Sequence, residues 1–216
     1  MKSYFILGIL WAVWCFIHSG MISMRVTNYL KRHTGDRYRY YRLVFNSFAV
    51  LTVVPVVLYG LTIQSPVIYR WDGVLRSLQL ILFLVSLFLF YSGARHYDIG
   101  RFLGIHQLRA GAGAGTISES GRFDTAGILG VVRHPWYLGG IIFIWTFRPD
   151  LDIAGLVSNS IVTAYLIIGT VLEERKLLID YGDEYRSYVE NVSMLFPVKY
   201  VVSKCRKSFE NKKTGY

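Results

Sequence analysis

The chain has 216 residues, of which 53% are hydrophobic and only 18% charged, with a formal net charge of +10. A soluble domain carries about a quarter charged residues; long apolar runs stand in place of charge here, which excludes an ordinary soluble domain and points to a membrane protein. The positive balance fits either a nucleic-acid binder or a membrane protein with basic loops, and the placement of Lys and Arg separates the two.

A membrane helix needs about 20 mostly apolar residues. The first such run is Tyr4 to Met24. Only Lys2 precedes it and no small-x-small site follows cleanly, so it reads as a retained first span and not a signal peptide. Further runs cover Val44 to Ile63, Val74 to Tyr91 and Ile153 to Leu172. Between the last two lies "GILGVVRHPWYLGGIIFIW", whose stretch from Trp136 to Phe147 has 12 residues. That is too short to cross alone, and extending it backwards takes in Arg133, His134 and Pro135.

Of the 24 Lys and Arg residues, all but Lys2, Arg70, Arg76 and Arg148 fall between the first two spans, between Tyr91 and Trp136, or after Leu172. The positive-inside rule then predicts an outer N-terminus, a cytosolic C-terminus and five crossings, with the short segment counted as the fourth. Topology accounts for the charge, and nucleic acid is not expected as a partner. The expected fold is an all-α polytopic bundle of about five spans, with residues 1–198 as one membrane-embedded unit and 199–216 as a basic tail. The tail is expected on anionic lipid or disordered.

The inner segments are the longer ones. The segment before Arg133 contains "RAGAGAGTISESG". No strand precedes its Gly-x-Gly-x-Gly, so it reads as a flexible connector and not as a nucleotide loop. After the last span, Glu173 to Asp180 should continue the helix and Gly182 should end or bend it. Tyr181, Tyr185 and Tyr188 suggest a second short helix, stopped by Pro197. Cys15 and Cys205 support neither a disulfide framework nor a metal site.

Ionisable groups at membrane depth are functional candidates. In "RHPWYLGG", Pro135 can open a helix and leave the N–H groups of Trp136, Tyr137 and Leu138 for an anion, with Arg133 beside them. Gly139 and Gly140 allow close approach of a ligand or a helix. In "LEER", Glu173 and Glu174 point about 100° apart, so one can face the bundle. "HSGMIS" places His18 and Ser19 in the inner half of the first span. "RHYDIGRFLGIHQ" adds His96, Asp98, His106 and Gln107. All four groups lie at the cytosolic ends of their helices, so an anion site and a cation site would share one inner pocket.

"RHPWYLGG" followed by "LEERKLLIDYGDEYRSYVENVSMLFP" resembles the isoprenylcysteine carboxyl methyltransferase and phospholipid methyltransferase superfamily of integral-membrane enzymes. The matching positions are Arg133, His134, Pro135, Tyr137, Gly139, Glu173, Glu174, Leu177, Gly182, Tyr185, Tyr188 and Pro197. "HSGMIS", "YRLVFNSFAVLT" and "HYDIGRFLGIHQL" resemble the NnrU and methanethiol S-methyltransferase branch. The resemblance implies S-adenosylmethionine as cofactor and a small or lipophilic methyl acceptor, a thiol first, then a phospholipid amine or a prenylcysteine carboxylate. Membrane lipids are then the surroundings, and no obligate protein partner is evident. It implies a cofactor site of Arg133, His134, Pro135, Tyr137, Leu138, Gly139, Glu173, Glu174, His106 and Gln107. Chemistry is expected from Arg133, His134, Glu174 and His18, with His18, His96 or His134 as the base for a thiol. The rival from another class is a non-catalytic haem-binding or sensory protein, which needs two of these histidines facing each other.

Overall fold

A computed structural model of the chain describes residues 1–110 and 125–213. The Gly/Ala-rich connector lies almost wholly outside them. The helices in chain order are α1 (Lys2–Ile22), α2 (Met24–Thr34), α3 (Tyr41–Thr62), α4 (Gly73–Ala94), α5 (Ile99–Leu103), α6 (Ile105–Ala110), α7 (Pro135–Thr146), α8 (Ile153–Asn191) and α9 (Val198–Lys213). Four stretches are long and apolar enough to cross a membrane, and they centre on α1, α3, α4 and the first half of α8. The apolar part of α8 ends at Leu172, so Glu173 onward stands outside the spanning segment.

Ser23 separates α1 from α2. Its backbone is extended and its side chain accepts from the Val26 N–H, which caps the new helix. α2 was expected as part of a basic loop. It is instead an amphipathic helix that buries none of its residues and carries Arg25, Lys31 and Arg32, the composition of a helix lying along an interface.

α1 and α8 run side by side in parallel on a heptad seam. Leu7, Trp11, Trp14 and His18 on α1 meet Ala154, Ser158, Ile161 and Tyr165 on α8. Trp11 Nε1 donates to Ser158 Oγ at 2.9 Å. One heptad further on, His18 Nδ1 lies 2.6 Å from the Tyr165 hydroxyl.

α7, the segment expected as the fourth crossing, packs along α4 and is not one of the four helices long enough to span. It begins level with the last turn of α4, where the Trp136 ring covers Gly93; a Cβ there would lie 2.5 Å from Trp136 Cδ1. Trp136 Nε1 also donates to the Phe90 carbonyl at 3.0 Å. At the other end Gln79, only 2% exposed, donates to the carbonyls of Thr146 and Arg148, both at 2.7 Å. A polar side chain inside an apolar helix is thus used to satisfy a helix C-terminus. α7 has 12 residues, about 18 Å at 1.5 Å per residue. The chain from Phe147 through Pro149 then leads to the bundle's far end.

There the two loops read as separate connections pair as a small antiparallel ribbon. β1 (Val67–Arg70) and β2 (Asp150–Asp152) join with Tyr69 opposite Leu151. The ribbon is an addition to the expected all-α fold.

Past the membrane segment, α8 kinks at Gly182, whose φ of 55° and ψ of −125° are accessible only to glycine. This is the expected bend. The end of the second arm is a correction: it stops at Asn191, and Pro197 instead precedes α9. Lys199 Nζ holds that end by donating to the carbonyls of Val189 and Glu190. The basic tail, expected on lipid or disordered, is helical through Lys213, with Val198, Val201 and Val202 exposed.

Candidate active site

The apolar "GILGVV" stretch reaches the site as a 3-10 turn over Gly127–Gly130, after which Val131 keeps right-handed helical backbone angles. Val132 is 1% exposed and pairs with Ser193. The N–H groups of Arg133 and His134 donate to the carbonyls of Ser193 and Met194, at 2.9 and 3.1 Å. The segment entering α7 is therefore held against the chain leaving α8. Pro135 occupies the first position of α7 as expected.

Glu174 is the centre of the charged cluster. It accepts from Arg133 Nε at 2.6 Å, Arg133 Nη2 at 2.8 Å, His134 Nε2 at 3.0 Å and the Tyr185 hydroxyl at 3.2 Å. Arg133 Nη1 donates to the carbonyls of Val189 and Val192. The Arg133, His134 and Glu174 side chains are 5%, 4% and 14% exposed. Charges this deep need partners, and these neutralise one another. The cluster ties the start of α7 to both arms of α8, and the bend at Gly182 is what returns Tyr185 to Glu174. Burial opposes the charge on Glu174, but the hydrogen bonds from His134 and Arg133 outweigh it and hold the carboxyl down to about 2. Burial, then the Glu174 charge, pushes the Tyr185 hydroxyl well above its ordinary range.

This pairing corrects the expectation of separate anion and cation sites. Arg133 and Glu174 hold each other. Leu138 is buried in a core cluster with Leu89, Val132 and Leu195, and its N–H is bonded to the His134 carbonyl at 3.1 Å. Gly139 faces α4, where a Cβ would lie 3.3 Å from both Leu89 Cβ and the Ser86 carbonyl. Its lack of a side chain serves helix contact.

Glu173 points the other way, 43% exposed on its side chain, with His134 Nδ1 at 3.9 Å. Its charge acts on the Tyr137 and Tyr97 hydroxyls and on Arg42. Burial, then the Glu173 charge, pushes the Tyr97 hydroxyl above its ordinary range. Tyr97 and Phe102 pack against Trp136, with centroids 4.8 and 5.3 Å away. His106 Nδ1 lies 3.1 Å from Asp98. Gln107 donates to the Arg101 carbonyl at 3.1 Å, while its buried Oε1 has no hydrogen-bond partner among the described residues.

His18 stands apart, bonded to Tyr165 and packed between Trp14 and Phe45. His134 faces two glutamates, so the facing pair of histidines that haem would need is not formed by His18 and His134. Tyr165, Trp14 and Phe45 were missed from sequence, because aromatic residues in apolar runs look like ordinary core.

Four helices long and apolar enough to cross a membrane, a short α7 packed along one of them and a polar cluster at one end define a polytopic integral-membrane protein with a candidate site at the ends of its helices. The family model of the NnrU protein matches residues 4–173, and the chain belongs to that family. Among curated proteins it is 37% identical over 102 residues to methanethiol S-methyltransferase 1 of Bradyrhizobium diazoefficiens, covering 47% of this chain and 34% of that protein. It is 40% identical over 77 residues to methanethiol S-methyltransferase of Pseudomonas deceptionensis, covering 36% and 29%. With that of Mycobacterium tuberculosis it shares 39% over 66 residues, covering 31% and 27%. The chain spans about a third of the length of these relatives. No solved structure matches it.

Proposed function

We propose that the protein is a membrane-embedded methyltransferase that moves a methyl group from S-adenosylmethionine to a small thiol. The observation that carries this is the division of labour between adjacent carboxylates. Glu174 is consumed by Arg133, His134 and Tyr185, while Glu173 is presented beside Tyr137. The names of the similar proteins favour a thiol over a lipid amine or a prenylcysteine carboxylate.

The residues fit the cofactor. Gln107 offers a buried acceptor with no partner among the described residues, suited to an exocyclic amine. Glu173 suits an ammonium group, and the aromatic group of Tyr97, Trp136 and Phe102 suits a flat base. The opening N–H groups of α7, at Trp136 and Tyr137, suit a carboxylate. Bound there, the cofactor supplies an electrophilic methyl on a sulfonium sulfur. Arg133, His134, Pro135 and Glu174 set the start of α7 so that these groups point correctly. The apolar contact of α4 with α7 keeps water from one side. The site end faces the cytosol, where the basic residues gather.

Calorimetric titration of S-adenosylmethionine into the purified protein tests this. Binding should be seen, and Glu173→Gln and Gln107→Ala should each weaken it about tenfold, one lost hydrogen bond to a charged or buried group. Both variants should keep the wild-type melting temperature. No binding by the wild-type protein rejects the reading.

A further inference from the structure

Three histidines were candidates for the base that a thiol acceptor requires, and their surroundings separate them. Both nitrogens of His134 face carboxylates, and its side chain is 4% exposed. The His96 ring closes over Gly127, where a Cβ would lie 2.6 Å from its Nε2. His18 is half-buried on the α1–α8 seam. Its Nδ1 is 2.6 Å from the Tyr165 hydroxyl, and its Nε2 makes no hydrogen bond among the described residues. The ring is stacked on Trp14 at 4.8 Å and flanked by Phe45 at 4.9 Å. Two walls and one hydrogen bond thus set its orientation.

The seam also connects His18 to the cofactor side. Tyr165, Gly169 and Glu173 follow one another at four-residue spacing, so they share one face of α8. Two turns separate the first from the last, about 12 Å along the axis. Between them the Tyr137 ring lies against Gly169, where a Cβ would be 3.4 Å from Tyr137 Cε1, and the Glu173 charge acts on the Tyr137 hydroxyl. The Tyr137 ring occupies the space that Gly169 leaves.

We propose that His18 takes the proton from the acceptor thiol and that Tyr165 is the residue that positions it. This rests on the methyltransferase reading. Tyr165 also accepts from Ser19 Oγ at 3.3 Å, and in the proposed tautomer its oxygen takes the His18 Nδ1–H as well. His18 then donates from Nδ1 and carries its lone pair on Nε2. The thiol S–H bond breaks, its proton passes to Nε2, and its electron pair stays on sulfur. The thiolate sulfur forms a bond to the methyl carbon as the bond from that carbon to the donor's sulfonium breaks, leaving its pair on the donor sulfur. The proton on His18 is then released to solvent. The charged and titratable groups around His18 are Tyr165 on α8, Arg42 on α3 and, beside Tyr165, Cys15 on α1.

The test compares ethanethiol with 2,2,2-trifluoroethanethiol, a small thiol of greater acidity, at a pH where only the second ionises unaided. With ethanethiol, His18→Gln should lose about 100-fold or more in kcat, the usual worth of a positioned base, and Tyr165→Phe about tenfold. With trifluoroethanethiol both variants should approach the wild-type rate. A second readout needs no methyl donor. At a lower pH, where the free compound is un-ionised, the fluorine resonance of bound trifluoroethanethiol should report thiolate in the wild-type protein and thiol in both variants. Equal losses with both thiols, or identical fluorine spectra, overturn the assignment of base and positioning residue while leaving methyl transfer standing. A wild-type protein that methylates neither thiol overturns the methyltransferase reading and this inference with it.

Discussion

Arg133 and Glu174 face each other in a two-point ion pair, Nε to Oε1 at 2.6 Å and Nη2 to Oε2 at 2.8 Å, and this pair closes the end of the α7–α8 hairpin. Removing one partner strands the other in a buried setting, which costs about 3–5 kcal/mol. Arg133→Ala and Glu174→Ala should each lower the melting temperature in detergent well below that of Glu173→Ala. Arg133→Lys should not restore it, because an ammonium lacks the planar fork.

The same pair sets an acid limit. The Glu174 carboxyl is held at about 2 in the folded protein against an ordinary 4.5, so the unfolded chain binds the proton first as pH falls. The stabilisation is complete above about 4.5 and is lost as pH falls towards about 2. The melting-temperature gap between wild type and Glu174→Gln should be constant from neutral pH down to about 4.5 and narrow below it. A gap that widens on acidification contradicts the geometry.

The α4–α7 contact should tolerate no added methyl at its tight end. A Cβ at Gly93 would meet Trp136 at 2.5 Å and Pro135 Cγ at 3.4 Å. Gly93→Ala should destabilise by about 1–3 kcal/mol, the usual cost of overpacking. By moving Trp136 it should also weaken cofactor binding. Gly20→Ala, where a Cβ meets nothing within 4 Å, is the matched control.

The bend at Gly182 is required to return Tyr185 to Glu174. With φ of 55° and ψ of −125°, any side chain there is strained by about 1–3 kcal/mol. Gly182→Ala should straighten the helix, and the loss of the Tyr185 contact should make the protein more sensitive to proteolysis after Asp180.

The legible parts of this molecule are those where charge interrupts an apolar run. Arg133, His134, Glu173 and Glu174 stood out for that reason, and Pro135 and Gly182 announced a helix start and a bend through backbone chemistry alone. Pairing was not legible. That Glu174 would take Arg133, and Glu173 would remain outside, depends on the phase of α8 and on the return of its second arm. The α2 helix was hidden because its basic residues dominated the reading of a loop. The ribbon was hidden because β1 ends at Arg70 and β2 begins only at Asp150, and only their pairing makes them strands. His18 was visible as a polar residue in a span. Its partner Tyr165 was not, because nothing in one sequence reveals that two helices far apart in the chain share a heptad seam.

Methyl transfer from labelled S-adenosylmethionine, with purified protein offered small thiols, phospholipid amines and prenylcysteine in parallel, tests the central claim most directly. The predicted result is label in a volatile methyl thioether with small thiols, cut about 100-fold or more by His18→Gln under conditions where the thiol is un-ionised. Label appearing only in lipid or prenylcysteine, or no transfer by a protein that binds the cofactor, would contradict it.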